Sequence, residues 1–123
     1  MKNIKLHDMT LDQLVDRFSE IAFAQYEALM LDRIGAYNKL FDKMQAVAQE
    51  LRSRDGDQRN RLLKLYPHNN VQVRLKAAVH TLAVAPEAAR ALLHEIEDSK
   101  EFPQAGDAGM TLWTLEQGIF KPT

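Results

Sequence analysis

Apolar residues recur at helical spacing along nearly the whole chain. Leu11, Leu14, Val15, Phe18, Ile21, Ala22 and Leu29 fall on one face of a helix that starts after Thr10. Thr10 and Gln13 form a capping box, and Met9 with Leu14 fits a hydrophobic staple across the same turn. A second stripe, Tyr37, Leu40, Phe41, Met44, Val47, Ala48 and Leu51, predicts a helix from Ile34 to Arg52. Only the segment from Leu31 to Gly35 separates the two, which is short enough to return the chain as an antiparallel hairpin.

Beyond the turn Asp55-Gly56-Asp57 the pattern shortens. Gln58 to Tyr66 predicts a third helix that stops before Pro67. Val71 to Val84 predicts a fourth, with Val71, Leu75, Ala78, Val79 and Leu82 on one face and Val73 and Ala77 on another; a helix apolar on two sides is central. Pro86 suits the first turn of a fifth, which runs to Asp98 with Ala89, Leu92, Leu93 and Ile96 inward. The segment SKEFPQAG reads as a loop. Asp107 is the expected N-cap of a sixth helix that ends at Gly118, with Ala108, Leu112 and Leu115 inward and Ile119 just beyond. The most strand-like run, VQV, is too short to be one. The expectation is one all-α domain over residues 1–123, with about six helices: a hairpin over 10–54 and two helix pairs over 57–119.

The second helices of those pairs align at an offset of 33 residues, Leu82 onto Leu115, which lies in the range of helical repeats. The phrase NNVQVRLKAAVHTLA resembles the second helix of a HEAT or armadillo-type repeat, with Arg74 one turn before the small pair Ala77 and Ala78. That resemblance implies that Arg74 holds neighbouring repeats in register by pairing with an acidic side chain or a carbonyl of the next unit. Asp107 is the partner it points to first. Over most of its length, through AYNKLFDKM, VRLKAA, LAVAPEAA and EFPQAGDAGMTL, the chain resembles a small bacterial family of helical proteins, a domain of unknown function. The resemblance implies an armadillo-like α-α superhelix and brings no activity with it. Asp107 stands where the offset would place another arginine, so the ladder of repeats ends there.

Composition narrows the function. The chain has no cysteine, which excludes disulfides, thiolate metal sites and cysteine nucleophiles. Its beginning, MKNIKLHDMTLDQL, lacks the apolar run of a secretory signal, and no stretch approaches the roughly 20 apolar residues of a membrane span. A cytoplasmic protein without membrane contact is expected. The net charge of −1 is uneven: Leu51 to Lys76 carries 7 basic and 2 acidic residues, while the flanking segments are acidic. Arg59, Arg61, Lys64 and Lys76 are therefore candidates for holding a polyanion. The ordinary reading is a solvated helix surface. With one aromatic, Tyr66, among them and a pI near 6.4, a nucleic-acid platform has little support.

Candidate chemistry is sparse. His7, His68, His80 and His94 show no metal-binding spacing. The Asp55-Gly56-Asp57 turn fails as a calcium loop, with Asn60 at its sixth position and Tyr66 at its twelfth. There is no phosphate loop and no nucleophile elbow, and Glu95 and Glu97 leave their helix on different sides. No catalytic residue, metal or cofactor is expected. Two apolar pairs depart from their helices' inward stripes: Phe23 with Met30, and Met110 with Trp113. Either the chain covers them, for instance Trp113 by Phe102 or Phe120 and Phe23 and Met30 by the tail with Ile119 and Phe120, or they mark a contact with a protein partner or a second copy. The leading expectation is a non-catalytic protein-interaction module. The alternatives are a nucleic-acid-contacting accessory protein acting through residues 52–76 and, last, an enzyme without a recognisable motif.

Overall fold

The computed structural model describes residues 4–123. Among them it forms five α-helices and two 3₁₀ helices and no strand: α1 (Leu11–Met30), α2 (Ile34–Ser53), α3 (Val71–Thr81), α4 (Pro86–Ser99) and α5 (Gln104–Glu116), with 3₁₀ turns over Leu6–Asp8 and Gln58–Leu65. They divide into two compact units, the first ending at Arg61 and the second spanning Leu62–Thr123.

In the first unit α1 and α2 pack against each other. The capping box forms as expected: the Gln13 N–H donates to Thr10 Oγ1 at 3.1 Å, and the Thr10 N–H donates to Gln13 Oε1 at 2.8 Å. Met9 is buried, and so are Leu14, Val15, Phe18, Ile21, Ala22 and Ala28 of α1, with Leu11 and Leu29 half-buried at the margins. Asp32 takes a left-handed conformation (φ 55°) in the turn, and the Arg33 N–H bonds back to the Ala28 carbonyl at 2.8 Å. On α2, Met44, Val47, Ala48 and Leu51 are buried. Phe41, expected inward, is 41% exposed. It lies on the flank of its stripe, away from the buried line of Met44, Val47 and Leu51.

The segment before α1 is fastened by Arg54. Its Nη2 donates to the carbonyls of Leu6 at 3.1 Å and Met9 at 2.9 Å, while its Nε bonds Glu50 at 2.7 Å. A cation at the end of α2 thus adds a donor to backbone acceptors of this segment; the Leu6 carbonyl also accepts the Met9 N–H, at 3.0 Å.

In the second unit α3, α4 and α5 pack on one another. Asn70 caps α3, its side chain accepting from the N–H groups of Gln72 and Val73. Val71, Val73, Leu75, Ala77 and Ala78 are buried, so α3 is covered on both of its apolar sides; Val79, expected inward, is only half-buried. The helix stops at Thr81 rather than Val84, since the Val84 and Ala85 N–H groups both turn back onto the Thr81 carbonyl. Pro86 opens α4, which buries Ala89, Leu92, Leu93 and Ile96.

The start of α5 corrects the sequence reading. The helix begins at Gln104, with Pro103 in the N-cap position, so half of the expected loop is helical. Asp107 lies inside the first turn and caps nothing. Proline and glycine suggested a loop in EFPQAG, but proline costs little at a helix start, where its missing N–H has no intrahelical partner to lose. Gln104 and Ala105 are buried, and that burial draws the helix back to them.

Candidate functional site

Arg74 leaves α3 toward two partners. Its Nη1 donates to the His68 carbonyl at 2.8 Å, and its Nη2 lies 3.6 Å from Glu101, in the connection between α4 and α5. The expected partner, Asp107, is not the one it meets: Asp107 is exposed in the first turn of α5. Because α5 starts before Asp107, the connection that passes Arg74 ends earlier and presents Glu101 instead.

Two polar contacts of the second unit, one buried and one partly buried, lie outside what the sequence pattern predicts. Gln104 Nε2 donates to Gln72 Oε1 at 3.0 Å, and both residues are shielded from solvent. The signal was present in outline, as a glutamine between Val71 and Val73 on a helix apolar on two sides. The Tyr66 hydroxyl meets Thr81 Oγ1 at 2.6 Å. Burial pushes the Tyr66 hydroxyl up from the ordinary tyrosine range, and the bond to Thr81 offsets part of that.

The basic island is largely engaged by the chain itself. Arg59 forks onto Asp57, with Nε at 2.9 Å and Nη2 at 2.7 Å, and is mostly buried there. That hydrogen-bonded cation holds the Asp57 carboxyl below the usual carboxylate range and raises the Arg59 guanidinium in turn. It also removes Asp57 from any calcium-loop role. Arg61 donates to the Gln58 side chain at 3.1 Å, Lys64 is exposed, and Lys76 is half-buried.

The histidines do not converge. His7 lies 3.1 Å from its neighbour Asp8, His94 lies 3.9 Å from Glu97 on the exposed side of α4, and His68 Nδ1 accepts the Asn70 N–H. Among the described residues, no three histidine or carboxylate side chains gather as a metal ion would require. No helix of the described chain is long and apolar enough to cross a membrane.

The off-stripe apolar residues remain in water. Phe23 is 45% and Met30 51% exposed on the outer side of α1, where the Phe23 ring stacks on Tyr26 at 6.2 Å between centroids. Met110 is 62% and Trp113 52% exposed on α5. The residues expected to cover them, Phe102, Ile119 and Phe120, are exposed themselves. Phe102 instead lies against Gly106, which precedes Met110 by one turn and Trp113 by two, so Phe102, Met110 and Trp113 line one side of α5.

The first unit also contains an open groove of about 560 Å³. Its apolar surface comes from Ile21 and Ala24 of α1, Leu40 and Val47 of α2, and Ile4 and Leu6 ahead of α1. Lys5, Arg17, Glu20 and Lys43 stand around it. No single stripe of the sequence announces it, because two helices and a preceding segment form it jointly.

A family model described as a domain of unknown function (DUF2019) matches residues 12–116. The crystal structure of a protein from Rhodopseudomonas palustris CGA009 matches with a TM-score of 0.94 and 50% identity, covering 98% of this chain and 100% of the other. No curated protein gives a significant match.

Proposed function

The chain belongs to the DUF2019 family, and from that premise we propose that it is a non-catalytic protein-interaction module of the bacterial cytoplasm, built from HEAT-like helix pairs. The observation that carries this reading is the outer side of α5, where Phe102, Met110 and Trp113 are each more than half exposed. Folding does not require large apolar side chains at those positions, since Ala105, Ala108, Leu112 and Leu115 already bury the opposite side of the helix. At about 25 cal/mol per Å² of apolar area, covering such a patch contributes several kcal/mol to an association. A partner protein with an apolar contact surface fits this face. The bacterial relative of nearly the same length supports the setting.

The test is affinity capture from the native cell with the wild type and a Met110→Glu/Trp113→Glu variant, with circular dichroism to establish equal helicity. A partner held by the wild type and lost by the variant is expected. Equal capture by both, or no specific capture by either, would overturn the reading. Sedimentation of the wild type, beside a Phe23→Ser/Met30→Ser variant, distinguishes a second copy of the chain bound through α1 from a different protein bound through α5.

A further inference from the structure

The groove of the first unit combines an apolar interior with an unequal ring of charge. Ile21, Ala24, Leu40 and Val47 form its helical walls, with Ala24 the smallest of the four side chains. Around it stand three cations, Lys5, Arg17 and Lys43, against one anion, Glu20. Arg17 lies 3.7 Å from Glu20 and is partly neutralised by it. Among the described residues, Lys5 and Lys43 have no carboxylate partner. Two lysines without a counter-charge among the described residues, beside apolar walls, favour a ligand that carries its negative charge at one end and hydrocarbon over the rest. The volume, about 560 Å³, lies within the roughly 300–1,000 Å³ typical of small-molecule sites.

We infer that this groove binds a free long-chain monocarboxylate, with the alkyl chain along Ile21, Ala24, Leu40 and Val47 and the carboxylate between Lys5 and Lys43. The hydrocarbon supplies most of the affinity, since every methylene taken out of water favours binding whereas an exposed ion pair contributes little. The lysines select the anionic end. An acidic amphipathic helix of another protein is the competing occupant, and an unsaturable dodecanoate titration would favour it. The inference is independent of the α5 surface.

The experiment is calorimetric titration of the 123-residue chain with dodecanoate below its micelle concentration, with dodecanol as the neutral control. Saturable binding of one molecule per chain is expected, weaker for dodecanol. Ala24→Phe, which fills the groove, should abolish binding. Lys43→Gln, at an exposed position, should weaken dodecanoate by about 1.5- to 5-fold and leave dodecanol unchanged. Met110→Glu/Trp113→Glu should bind as the wild type does. An unsaturable titration, equal affinities for acid and alcohol, or unchanged binding in both Ala24→Phe and Lys43→Gln would overturn the inference.

Discussion

At the scale of a residue, Arg74 shows how two contacts of one side chain differ in worth. Its bond to the His68 carbonyl, 2.8 Å long and partly buried, satisfies a backbone acceptor in the turn before α3. Its approach to Glu101 is longer, 3.6 Å, to a carboxylate more than half exposed, and water screens most of it. Arg74→Ala is therefore expected to lower unfolding stability by about 1–3 kcal/mol, and Glu101→Gln by no more than about 1 kcal/mol. Urea midpoints for the two variants check this, and a Glu101→Gln loss equal to that of Arg74→Ala would show the ion pair to be the dominant contact. The arginine's position and its polar role were legible in the sequence, because a cation beside so apolar a helix must be paired. The identity of the partner was not, since it depends on where α5, two helices further along the chain, begins.

That helix start sets the lesson at the scale of an element. Periodicity located every α-helix body, because burial of an apolar stripe is what stabilises each one: Leu14 and Phe18 on α1, Met44 and Leu51 on α2, Leu92 and Leu93 on α4. It failed at the start of α5, where the deciding interaction is polar and non-local. Gln104 is the first residue of α5, and its amide reaches Gln72 near the start of α3, 32 residues back. No window of local sequence contains both. Gln104→Ala would delete a buried hydrogen bond and leave a cavity in the same place, for an expected cost of about 1–3 kcal/mol. It should also free the first turn of α5. Hydrogen exchange at Asp107 and Ala108 should accelerate more than exchange at Leu92 and Leu93 in α4, and uniform acceleration would mean that the glutamine pair stabilises the unit without defining the helix start. The exposed side of α5 was legible as an exception to the helix's own stripe, but whether the chain would cover Met110 and Trp113 could be settled only by the position of Phe102 and Phe120.

At the scale of the whole molecule, charge decides between a protein partner and a polyanion. The sequence concentrates 7 basic residues between Leu51 and Lys76, and taken alone that density invites a nucleic-acid reading. The fold uses at least four of the seven internally: Arg54 on Glu50 and the carbonyls before α1, Arg59 on Asp57, Arg61 on Gln58, and Arg74 on His68 and Glu101. A cation already paired with a carboxylate gains little by exchanging it for a phosphate, so the count of residues overstates the charge on offer. The strength of backbone binding follows the number of phosphates neutralised, with log K changing by about 0.9 per cation for each decade of salt. The chain as a whole is also slightly anionic at neutral pH, which opposes approach to a duplex at long range. Fluorescence anisotropy with a labelled DNA duplex at low ionic strength is therefore expected to show no saturable binding. The expectation is equally a statement about Asp57: Asp57→Asn would release the Arg59 guanidinium and raise the local positive charge, and weak, salt-sensitive retention of the duplex should appear in that variant alone. Saturable binding by the wild type that Arg61→Gln/Lys64→Gln weakens would instead establish the basic segment as a polyanion site and displace the protein-interaction reading.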